Sequence, residues 1–251
     1  MSLRVLILGG TIEAASLARL LAGDARFDAT LSLAGRTTEP RPQPLPIRTG
    51  GFGGIDGLVR YLRAEQIEAV VDTTHPYADQ MSRNAVAACA QAGVTLASLV
   101  REPWQAEPRD RWQVVPDTNA AAAAIGSTPR RVFLSLGRQE LHCFTVAPQH
   151  HYLARLIEPP QQQALPPDLR LIQARGPFDL AAEVKLLTEE RIEILVSKNS
   201  GGNATSAKIE AARRLGLPVI MIARPDKPAG HLVHTPEEAV AWLAHASRRG
   251  V

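Results

Sequence analysis

The sequence predicts an α/β protein of two Rossmann- or flavodoxin-like lobes, each a mainly parallel sheet flanked by helices, with a cleft between the lobes. Three observations lead there. Short apolar runs alternate with stretches of helical spacing, the pattern of a parallel sheet with crossover helices. The alternation pauses at G-S-T-P-R-R, residues 126–131, and then begins again. Several apolar runs stop at glycine, threonine or arginine, residue types that suit the ligand-facing ends of strands in open sheets.

In chain order, residues 5–8 are an apolar strand and residues 13–21 a helix. Residues 30–34 are the next strand, 58–63 a helix and 69–72 a buried strand. The helix over 80–92 ends at Gly93, a suitable C-terminal glycine, and residues 94–100 form another strand. After the pause, residues 132–136 and 152–157 are strands, and E-P-P-Q-Q-Q-A-L-P-P is an exposed connection. Strands follow at 169–173, 192–196 and 219–223, with helices at 179–190 and 205–215. The last helix, 236–247, starts from the cap Thr235 with Glu237 and Glu238 in its first turn. The division falls near residue 128: a dinucleotide-binding lobe over 1–128 and a second lobe over 129–251 that completes the substrate cleft.

The chain has 251 residues, 45% hydrophobic and 21% charged, enough to bury a core and incompatible with disorder. The net charge is +3, but the lysines and arginines are scattered. A nucleic-acid protein concentrates them in a stripe, whereas an acidic small molecule needs only a few. The 2 cysteines, Cys89 and Cys143, have no metal spacing, and no structural metal is expected. The N-terminus runs from a strand straight into glycines, unlike a signal peptide, and no apolar run is long enough to span a bilayer. A cytoplasmic protein that binds neither nucleic acid nor membrane is expected.

The strand ends carry the chemistry. The first ends in Gly9-Gly10-Thr11-Ile12-Glu13-Ala14, a dinucleotide fingerprint with Thr11 in place of the middle glycine. Helix-start N–H groups there can hold a phosphate, though an ordinary strand-to-helix turn reads the same way. The second ends in Gly35-Arg36-Thr37-Thr38; an arginine in that place suits a 2′-phosphate, hence NADPH over NADH, against the alternative of a solvated loop arginine. Arg48-Thr49-Gly50-Gly51-Phe52-Gly53-Gly54 fits a loop that lets the backbone approach a ligand. Asp72-Thr73-Thr74-His75-Pro76-Tyr77-Ala78 ends the next strand, with Pro76 suited to a first helical turn and His75 able to bind a carboxylate or relay a proton.

In the second lobe Arg138 follows Gly137 at a strand end, and Arg155, Arg175 and Arg224 repeat the theme. Each could be a solvated surface residue; together they suit a carboxylate-rich ligand. The densest stretch is Ser197-Lys198-Asn199-Ser200-Gly201-Gly202, where the glycines permit close backbone approach and Lys198 offers a cation. Lys198 can face a substrate carboxylate, a cofactor phosphate or a reacting ring.

In combination, G-G-T-x-E-A, R-x-G-G-F-G-G, D-T-T-H-P-Y-A, S-K-N-S-G-G and P-V-x-M-I-x-R-P resemble the precorrin-6A reductases of corrin biosynthesis, in order, from about residue 5 to 225. The middle threonine of Asp72-Thr73-Thr74 departs mildly from an expected alanine. The resemblance implies NADPH-dependent reduction of one carbon–carbon double bond of precorrin-6A to give precorrin-6B. Its implied partners are the tetrapyrrole and neighbouring corrin-pathway enzymes. The residues expected on the cofactor are Gly9, Gly10, Thr11, Glu13, Gly35, Arg36, Thr37, Gly51, Phe52, Gly53, Thr73, Thr74, Ser200, Gly201 and Gly202. On the substrate they are Arg138, Arg155, Arg175, Asn199 and Arg224. His75, Tyr77 or Lys198 would supply the proton, with bulk water as the alternative source. A cobalt-containing substrate and a non-catalytic NADPH-binding protein are the rival readings. An epimerase-type Y-x-x-x-K pair is missing: Tyr61, Tyr77 and Tyr152 are followed four places on by Glu65, Met81 and Leu156.

Overall fold

The structure is a computed structural model and describes residues 2–35, 41–160, 163–203 and 205–248. The chain forms two compact units: residues 1–102 together with 225–251, and residues 103–224.

The first unit has one sheet of β1 (Leu3–Leu8), β2 (Phe27–Leu33), β3 (Ile47–Thr49), β4 (Ala69–Asp72), β5 (Thr95–Leu99) and, from the far end of the chain, β12 (His231–Val233). Their order is β12-β5-β4-β1-β2-β3, with every pairing parallel. Counted along this unit it is the dinucleotide-binding order, with its switch point between β1 and β4. The alternation of β1 separates two buried layers. Val5 and Ile7 pack with Leu17 and Leu21 of α1 (Ile12–Leu21) and Leu243 of α7 (Pro236–Arg248). Leu6 and Leu8 pack with Leu58 and Leu62 of α2 (Gly54–Ala64) and Cys89 of α3 (Asp79–Ala92).

The second unit runs β6 (Arg111–Val115), α4 (Thr118–Ala124), β7 (Arg131–Ser135), a 3₁₀ helix (Arg138–Val146), β8 (His151–Leu156), β9 (Leu169–Gln173), α5 (Leu180–Glu189), β10 (Ile194–Lys198), α6 (Ala207–Leu215) and β11 (Pro218–Ile222). Its sheet order is β6-β11-β10-β7-β8-β9, again all parallel. Starting from β7, this repeats the first unit's winding, with a switch point between β7 and β10. The sixth place is filled by β6, a strand that precedes the other five. Each unit thus takes its outermost strand on one side from a segment next to a crossing between units.

The structure therefore divides the chain elsewhere than near residue 128. The pause at 126–129 is the loop from α4 to β7, inside the second unit. Val233, Ala239 and Leu243, buried in the first unit's core, return the last segment to it. Five elements were not legible as such. β3 and β12 are three residues each, and β6 is largely exposed. α4 is an alanine run without amphipathic period. The 3₁₀ helix has no apolar stripe of α spacing. One expectation shifts slightly: α3 begins at Asp79, so Pro76 lies in a turn closed by Ala78 N–H on His75 C=O at 2.7 Å, ahead of the helix.

Candidate active site

At the first unit's switch point, the turn after β1 is built around Thr11. Its Oγ1 accepts from Ala14 N–H at 3.1 Å, capping α1, and donates to Thr73 C=O at 2.7 Å. The β1 and β4 ends are therefore tied by one hydroxyl. A side chain at Gly9 would force the buried Leu31 to shift, since a Cβ would lie 2.6 Å from Leu31 Cδ1. Gly10 is different. It sits at φ 111° with open space where a Cβ would point, so it combines left-handed backbone with an uncovered surface. Glu13 pairs with Arg101, whose Nη1 lies 2.9 and 3.1 Å from its two oxygens. That neutralises a carboxylate which would otherwise repel phosphate at this helix start.

Beyond β4, Thr73 is buried and donates through Oγ1 and N–H to Leu8 C=O, at 2.7 and 3.0 Å. Asp72, 1% exposed, accepts from Thr74 N–H at 2.9 Å, Thr74 Oγ1 at 2.7 Å and Ser82 Oγ, and pairs with Lys227 at 3.3 Å. His75 Nδ1 accepts from Tyr77 N–H at 3.3 Å, which leaves its proton on Nε2 in the neutral ring.

The glycine loop after β3 is held by Arg48. Its guanidinium donates to the carbonyls of Gly50 and Gly51 and lies 3.7 Å from the centre of the Phe52 ring. A Cβ at Gly50, Gly51 or Gly53 would meet nothing within 4 Å, so the loop presents bare backbone. Gly57 is glycine for a different reason: a Cβ would lie 1.7 Å from Phe52 O, which packs onto the start of α2. Gly35 adopts φ 71° at the end of β2. Arg36 and Thr37 lie outside the described residues.

In the second unit the S-K-N-S-G-G stretch ends β10 and runs on from it at the switch point. Lys198 pairs with Glu140 of the 3₁₀ helix after β7, and Glu140 also accepts from Gly137 N–H at 3.0 Å. The Asn199 amide grips the Trp104 backbone in both directions, at 2.8 and 3.0 Å. Trp104 Nε1 donates to Gly202 C=O at 2.8 Å, and Arg224 donates to the carbonyls of Asn199 and Ser200 at 2.7 and 3.0 Å. Gly201 and Gly202 take φ 66° and 70°. Asn199 and Arg224 thus shape the loop itself.

The other predicted arginines separate. Arg155 lies within β8, forms an ion pair with Glu183, which is 1% exposed, and stacks 3.6 Å from the Phe178 ring centre. Its guanidinium anchors α5 to the sheet. Arg138 follows β7 and pairs with Glu158 at 3.1 Å, while Arg175 is exposed just beyond β9. Arg48, Arg101, Lys227, Trp104 and Glu140 were missed in the sequence. Only two left a local trace: Arg48 opens the glycine motif, and Glu140 stands three residues after a helix-start glycine.

The family model described as precorrin-6x reductase CbiJ/CobK matches residues 4–244. The chain belongs to the precorrin-6x reductase family. A precorrin-6A reductase of Rhodobacter capsulatus is 53% identical and is covered over 99% of both chains. The solved structure of a CobK precorrin-6A reductase superposes with a TM-score of 0.92 at 53% identity, covering 98% of this chain and 97% of that one. A cobalt-precorrin-6A reductase of Priestia megaterium is 28% identical over 97% of this chain and 99% of its own. Within the precorrin-6x reductase family, the sequence thus stands nearer the relatives named for the cobalt-free substrate. Among the described residues no helix is long and apolar enough to cross a membrane, and no group of three or more His, Cys, Asp or Glu is placed to hold a metal ion.

Proposed function

We propose that this chain reduces one carbon–carbon double bond of precorrin-6A with NADPH, giving precorrin-6B. The observation that carries the reading is full-length identity of 53% to a precorrin-6A reductase. The cobalt-containing substrate is the second reading; the 28% identity to its named reductase disfavours it. The place of work is the cytoplasm, where NADPH and the tetrapyrrole are available.

The first unit's residues fit a dinucleotide. Its switch point offers a capped helix start, a left-handed Gly10 facing open space, and a glycine loop of uncovered backbone held from behind by Arg48. Gly9, Gly10 and Thr11 hold the pyrophosphate, with Gly35 and the loop carrying Gly51, Phe52 and Gly53 beside the adenosine half. Arg36 is assigned to the 2′-phosphate on its place in the sequence alone. Thr73 and Thr74 lie at the β4 end, where the nicotinamide half reaches in this winding. NADPH, when bound, supplies the hydride. Addition of hydride to one carbon of the double bond places an electron pair on the conjugated ring, and a proton completes the reduction. His75 is the proposed relay for that proton through Nε2, its Nδ1 accepting from Tyr77 N–H, and the two rings lie with centres 5.6 Å apart. In the second unit Lys198, Arg138 and Arg175 face the substrate's carboxylates.

The test is anaerobic incubation of purified chain with NADPH and precorrin-6A, following cofactor oxidation and the macrocycle spectrum together. Equal oxidation and spectral change are expected, with far slower use of NADH. NADPH binding without turnover of either the cobalt-free or the cobalt-containing substrate would leave only a binding protein.

A further inference from the structure

The Asp72–Lys227 pair has no part in the scheme above, yet it sits at the β4 end where that scheme places the nicotinamide. We propose that Lys227 is a positioning residue for the reduction: it locks Thr74, and through Thr74 the peptide that carries His75. The inference rests on the reductase reading and adds a residue to it.

The hydrogen bonds leave Thr74 little freedom. Its hydroxyl donates to Asp72 at 2.7 Å and accepts from Lys227 Nζ at 3.0 Å, so its one proton is committed and its oxygen is held from the other side. Lys227 Nζ also reaches Thr74 C=O at 3.4 Å and Asp72 at 3.3 Å, a separate partner for each of its three hydrogens. The preceding residue is fixed as well, Thr73 to Leu8 and Thr11 to Thr73. The backbone therefore enters His75 from two clamped residues.

The charge balance needs Lys227. Asp72 is 1% exposed, and a buried carboxylate without a counter-charge is costly. The Lys227 side chain is 12% exposed, so it meets Asp72 in poorly hydrated surroundings. An apolar pair would have packed this spot with less desolvation, whereas the ion pair adds a fixed direction for the Thr74 hydroxyl. Lys227 comes from the segment that returns from the second unit, 153 residues away in sequence from Thr74.

Lys227→Met is expected to lower kcat by roughly tenfold or more, as a small displacement of a reacting geometry does, while NADPH affinity stays within about threefold. Thr74→Val should give a similar loss, and the double variant should be little worse than either single, because both remove the Lys227–Thr74 Oγ1 hydrogen bond. Lys227→Arg, which keeps the cation, should recover part of the rate. Asp72→Asn/Lys227→Met removes the unpaired charge and guards against simple misfolding. It should fold normally and remain slow. Full recovery of rate in that double variant would make the pair purely structural and overturn the proposal, as would multiplicative losses for Thr74→Val and Lys227→Met. An unimpaired Lys227→Met beside an active parent overturns the role of Lys227 alone. A parent chain that leaves precorrin-6A unreduced overturns the reductase reading beneath it.

Discussion

At the scale of single residues, charge compensation decides what a side chain can do. Lys198 looked like a cation waiting for an anion, and its first anion is Glu140 of its own unit. In the proposed reading a substrate carboxylate shares or displaces that contact, and Lys198 would tune binding of the macrocycle rather than of the cofactor. Lys198→Met should lower kcat/KM for precorrin-6A by about 10- to 100-fold with NADPH affinity unchanged; parallel loss of NADPH binding would assign it to the cofactor instead. His150 makes a different case. It is fully buried, its Nε2 lies 3.0 Å from Gly126 C=O, and its Nδ1 has no partner among the described residues. Burial, then the nearby charges of Arg130 and His151, hold its pKa below the usual histidine value despite the Gly126 contact. The unfolded chain therefore takes up a proton near pH 6.5 that the folded chain refuses. Stability contributed by neutral His150 is complete above that pH and declines as pH falls toward the lowered folded pKa. Thermal denaturation should show Tm dropping below about pH 6.5, with a shallower slope for His150→Gln; equal slopes would rule His150 out as the source.

At the scale of elements, the parts of the site that obey local rules were legible and those made by distant partners were not. Thr11 capping α1, Gly93 at φ 71° ending α3 and Thr235 capping α7 follow from neighbours three or four residues away. The glycine loop was legible as a ligand-facing segment because four glycines in five residues suit no helix or strand. What holds it was not, because Arg48 acts through a ring stack and two carbonyls that only the fold brings into line. Arg155 is a second such case: it sits inside β8, where only the partner Glu183, 28 residues on, reveals an anchor. Arg48 supports a direct prediction. Arg48→Met keeps the stem over Phe52 but removes the donors from Gly50 and Gly51, which frees the loop. The KM for NADPH should rise about tenfold, and stability should fall by about 1.5–3 kcal/mol in urea titration, the scale of a lost charged hydrogen bond. An unchanged KM would show that the loop does not meet the cofactor.

At the scale of the whole chain, the two units share one winding and differ in where the sixth strand comes from. Both sheets run parallel with a switch point between their first and fourth strands in winding order, and each puts a chemically rich loop there: Thr73–His75 after β4 and Asn199–Gly202 after β10. The sequence shows the alternation, but membership of β6 and β12 depends on which neighbour each strand meets. Val115 pairs with Ile222, and Val233 with Leu99. Both ends of the second unit also fasten to one turn, since Trp104 and Arg224 each bond the Asn199 loop. A cut near residue 128 would leave the first sheet without β12, α7 and Lys227, and would carry β6 away from its partner β11. Loss of Val233 and Leu243 alone removes about 1.5–3 kcal/mol of burial each, large against the net stability of a small domain. Residues 1–128 expressed alone are therefore expected to unfold without a cooperative transition and to bind NADPH weakly. Residues 1–102 joined through a flexible linker to 225–251 should unfold cooperatively in urea and retain NADPH binding. The reverse ranking of the two proteins would mean that the outer strand and the last helix are dispensable, and that the first five strands carry the dinucleotide site unaided.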